Sequence, residues 1–184
     1  MPEQSNDARI RGLSRFLALA TLVVMPLVLL FSWGAWLFPA SPFLADGPAP
    51  ANGLGGGDLG WFILPLRLGA AGIVTVSALI TLYGLVGLRR LFAACAEGGY
   101  FTAGAVGGFR QFALASLAGA IWAPFQHTLL GVYLSVANPN VPNAVELAFS
   151  SDDVRAIGIA LTFFLIAHIL AEGRRRDEEL ELIL

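Results

Sequence analysis

Charged positions are sparse and divide the chain into long apolar blocks. No charge falls between Arg15 and Asp46, between Arg67 and Arg89, between Arg110 and Glu146, or between Arg155 and Glu172. A bilayer core requires about 20 consecutive apolar residues of helix, roughly 17–25 in practice. The blocks therefore predict four transmembrane helices over 16–38, 61–88, 110–137 and 154–172. Trp61 serves as an interfacial anchor for the second, and the short fourth block gains length by taking in Val154 and Arg155. The expected fold is an all-α, four-helix transmembrane bundle forming one integral membrane domain.

The segments between these blocks read differently. The outer loop over 39–60 is rich in proline and glycine, which deny it a regular element. Its GLGGGDLG run lacks the lysine and Ser/Thr of a phosphate-binding loop and follows no strand, so it is a flexible connector. The inner loop over 89–109 contains the helix breaker Gly98-Gly99, and Thr102 is a candidate N-cap for a short helix leading into the third span. The outer loop over 138–153 carries the turn formers Asn138-Pro139-Asn140 and Pro142-Asn143, then an alternating stretch over 145–149 that suits a strand or a surface-lying segment. Ser150 or Ser151 caps the fourth span, with Asp152 and Asp153 in its first turn where the helix dipole favours negative charge.

Orientation follows from arginine, because the chain has no lysine. With the N-terminus inside, the inner segments hold Arg9, Arg11, Arg15, Arg89, Arg90, Arg110, Arg174, Arg175 and Arg176, leaving Arg67 and Arg155 at the outer ends. The positive-inside rule then places both termini in the cytoplasm, including the 1–15 leader and the 173–184 tail. The first apolar run is longer than the 7–15 residues of a secretory core, so an uncleaved anchor is expected.

Composition narrows the function classes. Hydrophobic residues make up 57% and charged residues 13%, against about 45–50% and about 25% in an ordinary globular domain. One cysteine, Cys95, excludes an intramolecular disulfide framework, and it reads as a bystander thiol with no histidine base near it in sequence. Two histidines and a net charge of −2 argue against a haem or zinc site and against direct nucleic-acid binding. No nucleophile–base pair shares a depth and no carboxylate falls within a span, so the expectation is a non-enzyme without cofactors.

Ionisable and polar groups inside spans are costly and therefore candidates for function. Arg67 is placed to snorkel outward or to pair with Glu146, Asp152 or Asp153; Arg155 beside Asp152 and Asp153 invites the same structural reading. Gln126, His127 and Thr128 follow Pro124 and can satisfy a carbonyl it frees or bond across the bundle. His168 precedes Glu172 by four residues and can share its helix face, while the two histidines lie at different depths. Either histidine suits a pH sensor, though a packing role is commoner. Ala115, Gly119 and Ala123 recur at the spacing that lets helices approach closely, within the bundle or in a homo-oligomer.

Several short motifs resemble one family. Gly99-Tyr100-Phe101-Thr102 is similar to a G-x-F-T signature, Ala137-Asn138-Pro139-Asn140 and Phe149-Ser150-Ser151-Asp152-Asp153 flank the second outer loop, and Ala171-Glu172-Gly173-Arg174 followed by Glu178-Glu179-Leu180 resembles a closing E-G segment. Together they resemble DUF2975, an uncharacterised bacterial membrane family, across the whole chain and most strongly from Arg89 onward. Gly104-Ala105 stand where family members often carry Glu-Asn, which removes the second half of a capping box. The resemblance implies a four-span protein of the bacterial cytoplasmic (inner) membrane, frequently encoded beside a small helix-turn-helix regulator of the Cro/repressor type, with no catalytic residues to carry over.

Two functional readings follow. In the first, the chain is a membrane-anchored regulatory or sensory partner of such a cytoplasmic regulator, contacting it through Phe101, Thr102, Arg174, Arg175, Arg176, Glu178 and Glu179. Arg174–Glu178 and Arg175–Glu179 are i,i+4 neighbours if the last helix continues, and the alternating end over 179–184 suits strand addition to a partner. In the second, it is a small permease or channel subunit with Arg67, Gln126, His127 and His168 on a polar path. A non-catalytic assembly subunit of a larger membrane complex is a further possibility.

Overall fold

The computed structural model describes residues 2–37, 64–99, 101–137 and 150–181. They form four helices: α1 (Pro2–Leu37), α2 (Leu64–Ala96), α3 (Ala103–Ala137) and α4 (Ser151–Glu181). No strand occurs among the described residues. The outer loops over 39–60 and 138–149, with the strand-like stretch 145–149, lie outside them, as does Trp61.

Each helix outruns the span expected for it. A charge stops a membrane span, but it does not stop a helix, whose i→i−4 ladder continues until a residue breaks it. Thus α2 passes Arg89-Arg90 and ends only at Ala96, where Gly98 adopts a left-handed φ of 87°. Gly98 N–H donates to the Cys95 carbonyl at 3.1 Å and Gly99 N–H to that of Ala94 at 3.0 Å, the paired bonds of a Schellman cap. Thr102 then opens α3. Its hydroxyl accepts the Ala105 N–H at 3.4 Å, and its carbonyl accepts that of Val106 at 3.0 Å. The two helices therefore take up all but residues 97–102 of the inner loop expected over 89–109, and the separate short helix before the third span is the first part of α3.

The α4 start is built as expected, with Ser150 as the cap. Its hydroxyl accepts the Asp153 N–H at 3.1 Å while the Asp153 carboxylate accepts the Ser150 N–H at 2.9 Å, a reciprocal capping box. At the other end α4 continues to Glu181. The strand suggested for the tail gives way to helix there, because no breaker follows Gly173.

Helices α1, α2 and α4 are long and apolar enough to cross a membrane, over Arg11–Gly34, Leu68–Ala96 and Ser151–Arg176. The expectation of four such helices is met in three. Helix α3, which carries Arg110, Gln111, Gln126 and His127, is the one outside that set.

Packing runs in chain order, α1 on α2, α2 on α3 and α3 on α4. The buried positions are mostly small: Ala70, Ala71, Ala78, Ala105, Ala113, Ala115, Ala120, Ala160 and Ala167, with Val106 and Leu130 the larger exceptions. Large side chains point the other way, among them Phe16, Leu19, Leu30, Leu79, Leu165 and Ile169. Only 6% of the α1 span and 22% of the α2 span are buried. Small residues inside and large apolar residues outside invert the arrangement of a water-soluble core and suit helices solvated by lipid.

The closest approach joins α2 to α3. A Cβ on Gly87 would stand 2.7 Å from the Gly108 carbonyl, and one on Gly108 would stand 2.6 Å from the Gly87 carbonyl. Farther along, Gly84 faces Ala115 and Gly69 faces the Tyr133 ring. The small-residue row of α3 thus serves packing within the chain at Ala115. Helix α1 instead buries Ser14 and Thr21, two turns apart, and Trp33 Nε1–H donates across to Thr75 Oγ1 at 3.1 Å.

Candidate functional site

The antiparallel pairing of α2 with α3 and α3 with α4 gathers arginines at one end. Arg90 donates to Gln111 Oε1 at 3.1 Å, tying the end of α2 to the start of α3, and Gln111 Nε2 donates to the Tyr83 carbonyl at 2.8 Å. The Arg11 guanidinium of α1 lies close to Gly98 at the α2–α3 turn. Arg110 on α3 faces His168, Glu172 and Arg175 on α4 around a cleft of about 230 Å³. A second cleft, of about 290 Å³, shares Arg110 and Arg175 and adds Arg174.

Of the sequence candidates, this end brings together His168, Glu172, Arg174 and Arg175. The Glu172 carboxylate accepts Arg175 at 3.3 Å and Arg176 at 3.4 Å. Glu172 lies one turn back on the same helix face, whereas the forward pairs expected with Glu178 and Glu179 involve side chains outside the described residues. Glu178 and Glu179 themselves lie on the helical backbone. Phe101, 70% exposed, occupies the α2–α3 turn next to Thr102. Cys95 is half-buried in the last turn of α2.

The other candidates lie elsewhere. Gln126 bonds the Ser77 hydroxyl on α2, a clamp between two helices. His127 is exposed and lies within electrostatic reach of Asp153, toward the opposite end of the molecule from His168. Pro124 frees the Ala120 carbonyl, one turn before it, so the carbonyl that Thr128 Oγ1–H reaches at 3.0 Å is that of Pro124 itself. Arg67 lies in the first turn of α2, and its side chain and Glu146 fall outside the described residues. Of its expected partners, Asp152 pairs with Arg155 at 3.5 Å and Asp153 with the Ser150 cap.

Sequence reasoning missed the contribution of Arg110 to the cleft and the roles of Gln111 and Ser77. Arg110 was visible only as a span boundary. Gln111 adjoined it as a polar pair at the start of an apolar run, a signal for an interhelical bond once α2 was known to extend past Arg90. Trp122 Nε1 is also buried, with no acceptor among the described residues.

Beside the polar clefts, Phe109, Phe112 and Phe163 join α3 to α4. Phe112 and Phe163 have ring centroids 5.7 Å apart, and Phe109 meets Phe163 edge-on at 6.4 Å. Beyond them opens a groove of about 500 Å³, floored by Ala115, Gly119 and Ala123 and walled by Ile80, Ile159 and Phe163.

These features define an all-helical protein of membrane type, with lipid-facing apolar surfaces and one arginine-lined end. Residues 48–184 match the family described as Protein of unknown function (DUF2975), and the chain belongs to that family. The match begins beyond α1, so the first helix lies outside it, whereas the resemblance was expected over the whole chain. No curated protein matches the chain. No solved structure matches it either.

Proposed function

We propose that the protein is a membrane-anchored regulatory or sensory partner of a cytoplasmic protein, such as a small helix-turn-helix regulator. It resides in the bacterial cytoplasmic membrane with all four helices crossing and both termini inside, and it performs no catalysis of its own. The observation that carries this reading is a helical collar beyond the arginines. Helix α2 runs six residues past Arg90, α3 starts seven before Arg110 and α4 runs nine past Glu172, or about 9–14 Å of helix each at 1.5 Å per residue. The tip of the α2–α3 hairpin in this collar presents an exposed Phe101, and the Arg11 guanidinium of α1 lies by Gly98 of the same turn, a composition suited to anchoring a protein partner.

Helix α3 crosses in this reading despite its polar residues because neighbouring helices satisfy them. Gln126 has Ser77, and Gln111 has Arg90 and the Tyr83 carbonyl, all on α2, while Thr128 reaches the Pro124 carbonyl within α3 itself. Sheltering between α2 and α4 removes much of the cost of polar groups in lipid. The permease alternative requires Arg67, Gln126, His127 and His168 on one path. Gln126 is held by α2, while His127 and His168 lie apart, so no observation favours that path.

The test is crosslinking in intact cells followed by purification of the full chain. A small regulator should be recovered with the wild type and lost with Phe101→Asp or on deletion of 177–184. Absence of any regulator, together with unchanged transcription in a deletion strain, overturns the reading.

A further inference from the structure

Helix α1 meets α2 at both ends of a long antiparallel seam. At one end Trp33 Nε1–H donates to Thr75 Oγ1 at 3.1 Å. At the other, the Arg11 guanidinium lies against Gly98, just past the last turn of α2. A Cβ built on that glycine would stand 3.7 Å from Arg11 Nη2, 3.8 Å from Nε and 3.9 Å from Cζ. Distances so nearly equal to three atoms of one planar group place the face of the guanidinium, not its edge, over the glycine. From Arg11 to Trp33 is 22 residues and from Thr75 to Gly98 is 23, equivalent to about 33 and about 35 Å at 1.5 Å per residue. The two chains keep step over that length, so the Arg11 contact is the far end of a packed register.

The turn that Arg11 covers is the cap of α2. Gly98 and Gly99 N–H donate to the Cys95 and Ala94 carbonyls, and Gly98 holds its φ of 87° between them. A cation there also meets the negative end of the α2 dipole. The exposed Phe101 follows three residues on, and Thr102 then caps α3. The inner half of α1 is held to α2 by little. Its buried positions are Ser14 and Thr21, both small, while Phe16, Leu19 and Val23 stay exposed. Between the two ends sits Pro26, which leaves the Leu22 carbonyl without its helical donor and softens α1 at that point.

We propose that α1 is a hinged strap. Its inner half, pivoting at Pro26, closes Arg11 over the α2–α3 turn and fixes the tip that bears Phe101. Lifting the strap loosens the α2 cap and frees that tip. The strap comes from the part of the chain outside the family match. Its regulatory consequence rests on the reading of the tip as a docking site, whereas the strap itself does not.

The test is amide hydrogen exchange on the purified full-length protein in one detergent, read at Gly98 and Gly99. Arg11→Ala should speed exchange of these two amides about threefold or more, with the amides of Ala160 and Ala167 on α4 unchanged. Pro26→Ala, which restores a donor to the Leu22 carbonyl and stiffens the pivot, should slow them about twofold or more. Unaltered exchange at Gly98 and Gly99 in Arg11→Ala overturns the proposal. Equal acceleration on α4 overturns it in favour of a general loss of stability, and unaltered exchange in Pro26→Ala overturns the hinge. No regulator enters any arm, so failure here is distinct from failure of the regulatory reading, which the crosslinking decides.

Discussion

Replacing Gly87 by alanine probes the α2–α3 crossing directly. The added Cβ would stand 2.7 Å from the Gly108 carbonyl oxygen, 2.9 Å from Gln111 Cβ and 3.0 Å from the Phe112 nitrogen. Two of the three are backbone atoms of a packed helix and cannot swing aside. Restoring an ordinary contact of 3.4 Å requires the helices to part by about 0.7 Å, enough to forfeit a quarter to a half of each dispersion contact along the seam. The 2.8 Å bond from Gln111 to the Tyr83 carbonyl stretches with it. Overpacking of this kind costs about 1–3 kcal/mol. Alanine also returns up to ~1 kcal/mol of helix propensity, so the fair comparison is with glycines whose Cβ meets nothing within 4 Å, Gly72 on α2 and Gly158 on α4. Thermal unfolding in one detergent should place Gly87→Ala and Gly108→Ala below Gly72→Ala and Gly158→Ala by about 1–3 kcal/mol, roughly 2–12 °C for a chain of this size. Four variants of equal stability would refute the backbone contact at the crossing.

Other outcomes follow from the same geometry. Gln126→Leu should destabilise the protein, and a double-mutant cycle with Ser77→Ala should return a coupling of about 0.6 and at most about 1.7 kcal/mol; a coupling of zero would remove the clamp between α2 and α3. Gly98→Ala should cost about 1–2 kcal/mol, since its φ of 87° disfavours any side chain although Arg11 leaves room for one. Ser150→Ala should cost about 1 kcal/mol through loss of the α4 cap, with Ser150→Gly costing only a few tenths. Equal stability of the alanine and glycine variants at 150 would argue against capping as the source of the effect.

Much of the helical framework was legible because charge marks the edges of apolar runs. The lengths were not, because Arg89 and Arg90 end a membrane segment without ending a helix. The residues that do end α2, Gly98 and Gly99, were recognisable as breakers, and reading the helix to them would have reduced the inner loop to its true size. Thr102 and Ser150 were readable as caps because the chemistry is local. The Gln126–Ser77 bond spans 49 positions, and nothing in a one-dimensional pattern selects Ser77 over its neighbours. His168 and Glu172 were paired by helical spacing alone. Arg110 joins them only because α3 and α4 are antiparallel neighbours, which turns two span boundaries into one cleft. Of the polar residues within α3 that drew attention as candidates, Gln126 is explained by its bond to Ser77 on α2 and Thr128 by the Pro124 carbonyl of its own helix.

The central claim is that α3 crosses the bilayer, with the arginine-lined end in the cytoplasm. Gly104 and Ser151 are exposed and stand at the starts of α3 and α4, so they fall on opposite faces only if α3 crosses. In a Cys95→Ala background, Gly104→Cys and Ser151→Cys are each treated with a membrane-impermeant maleimide, in intact cells and after permeabilisation. The expected result is labelling of Ser151→Cys from outside, with Gly104→Cys reacting only once the membrane is opened. Labelling of both positions from the same side, or of Gly104→Cys alone in intact cells, would contradict it.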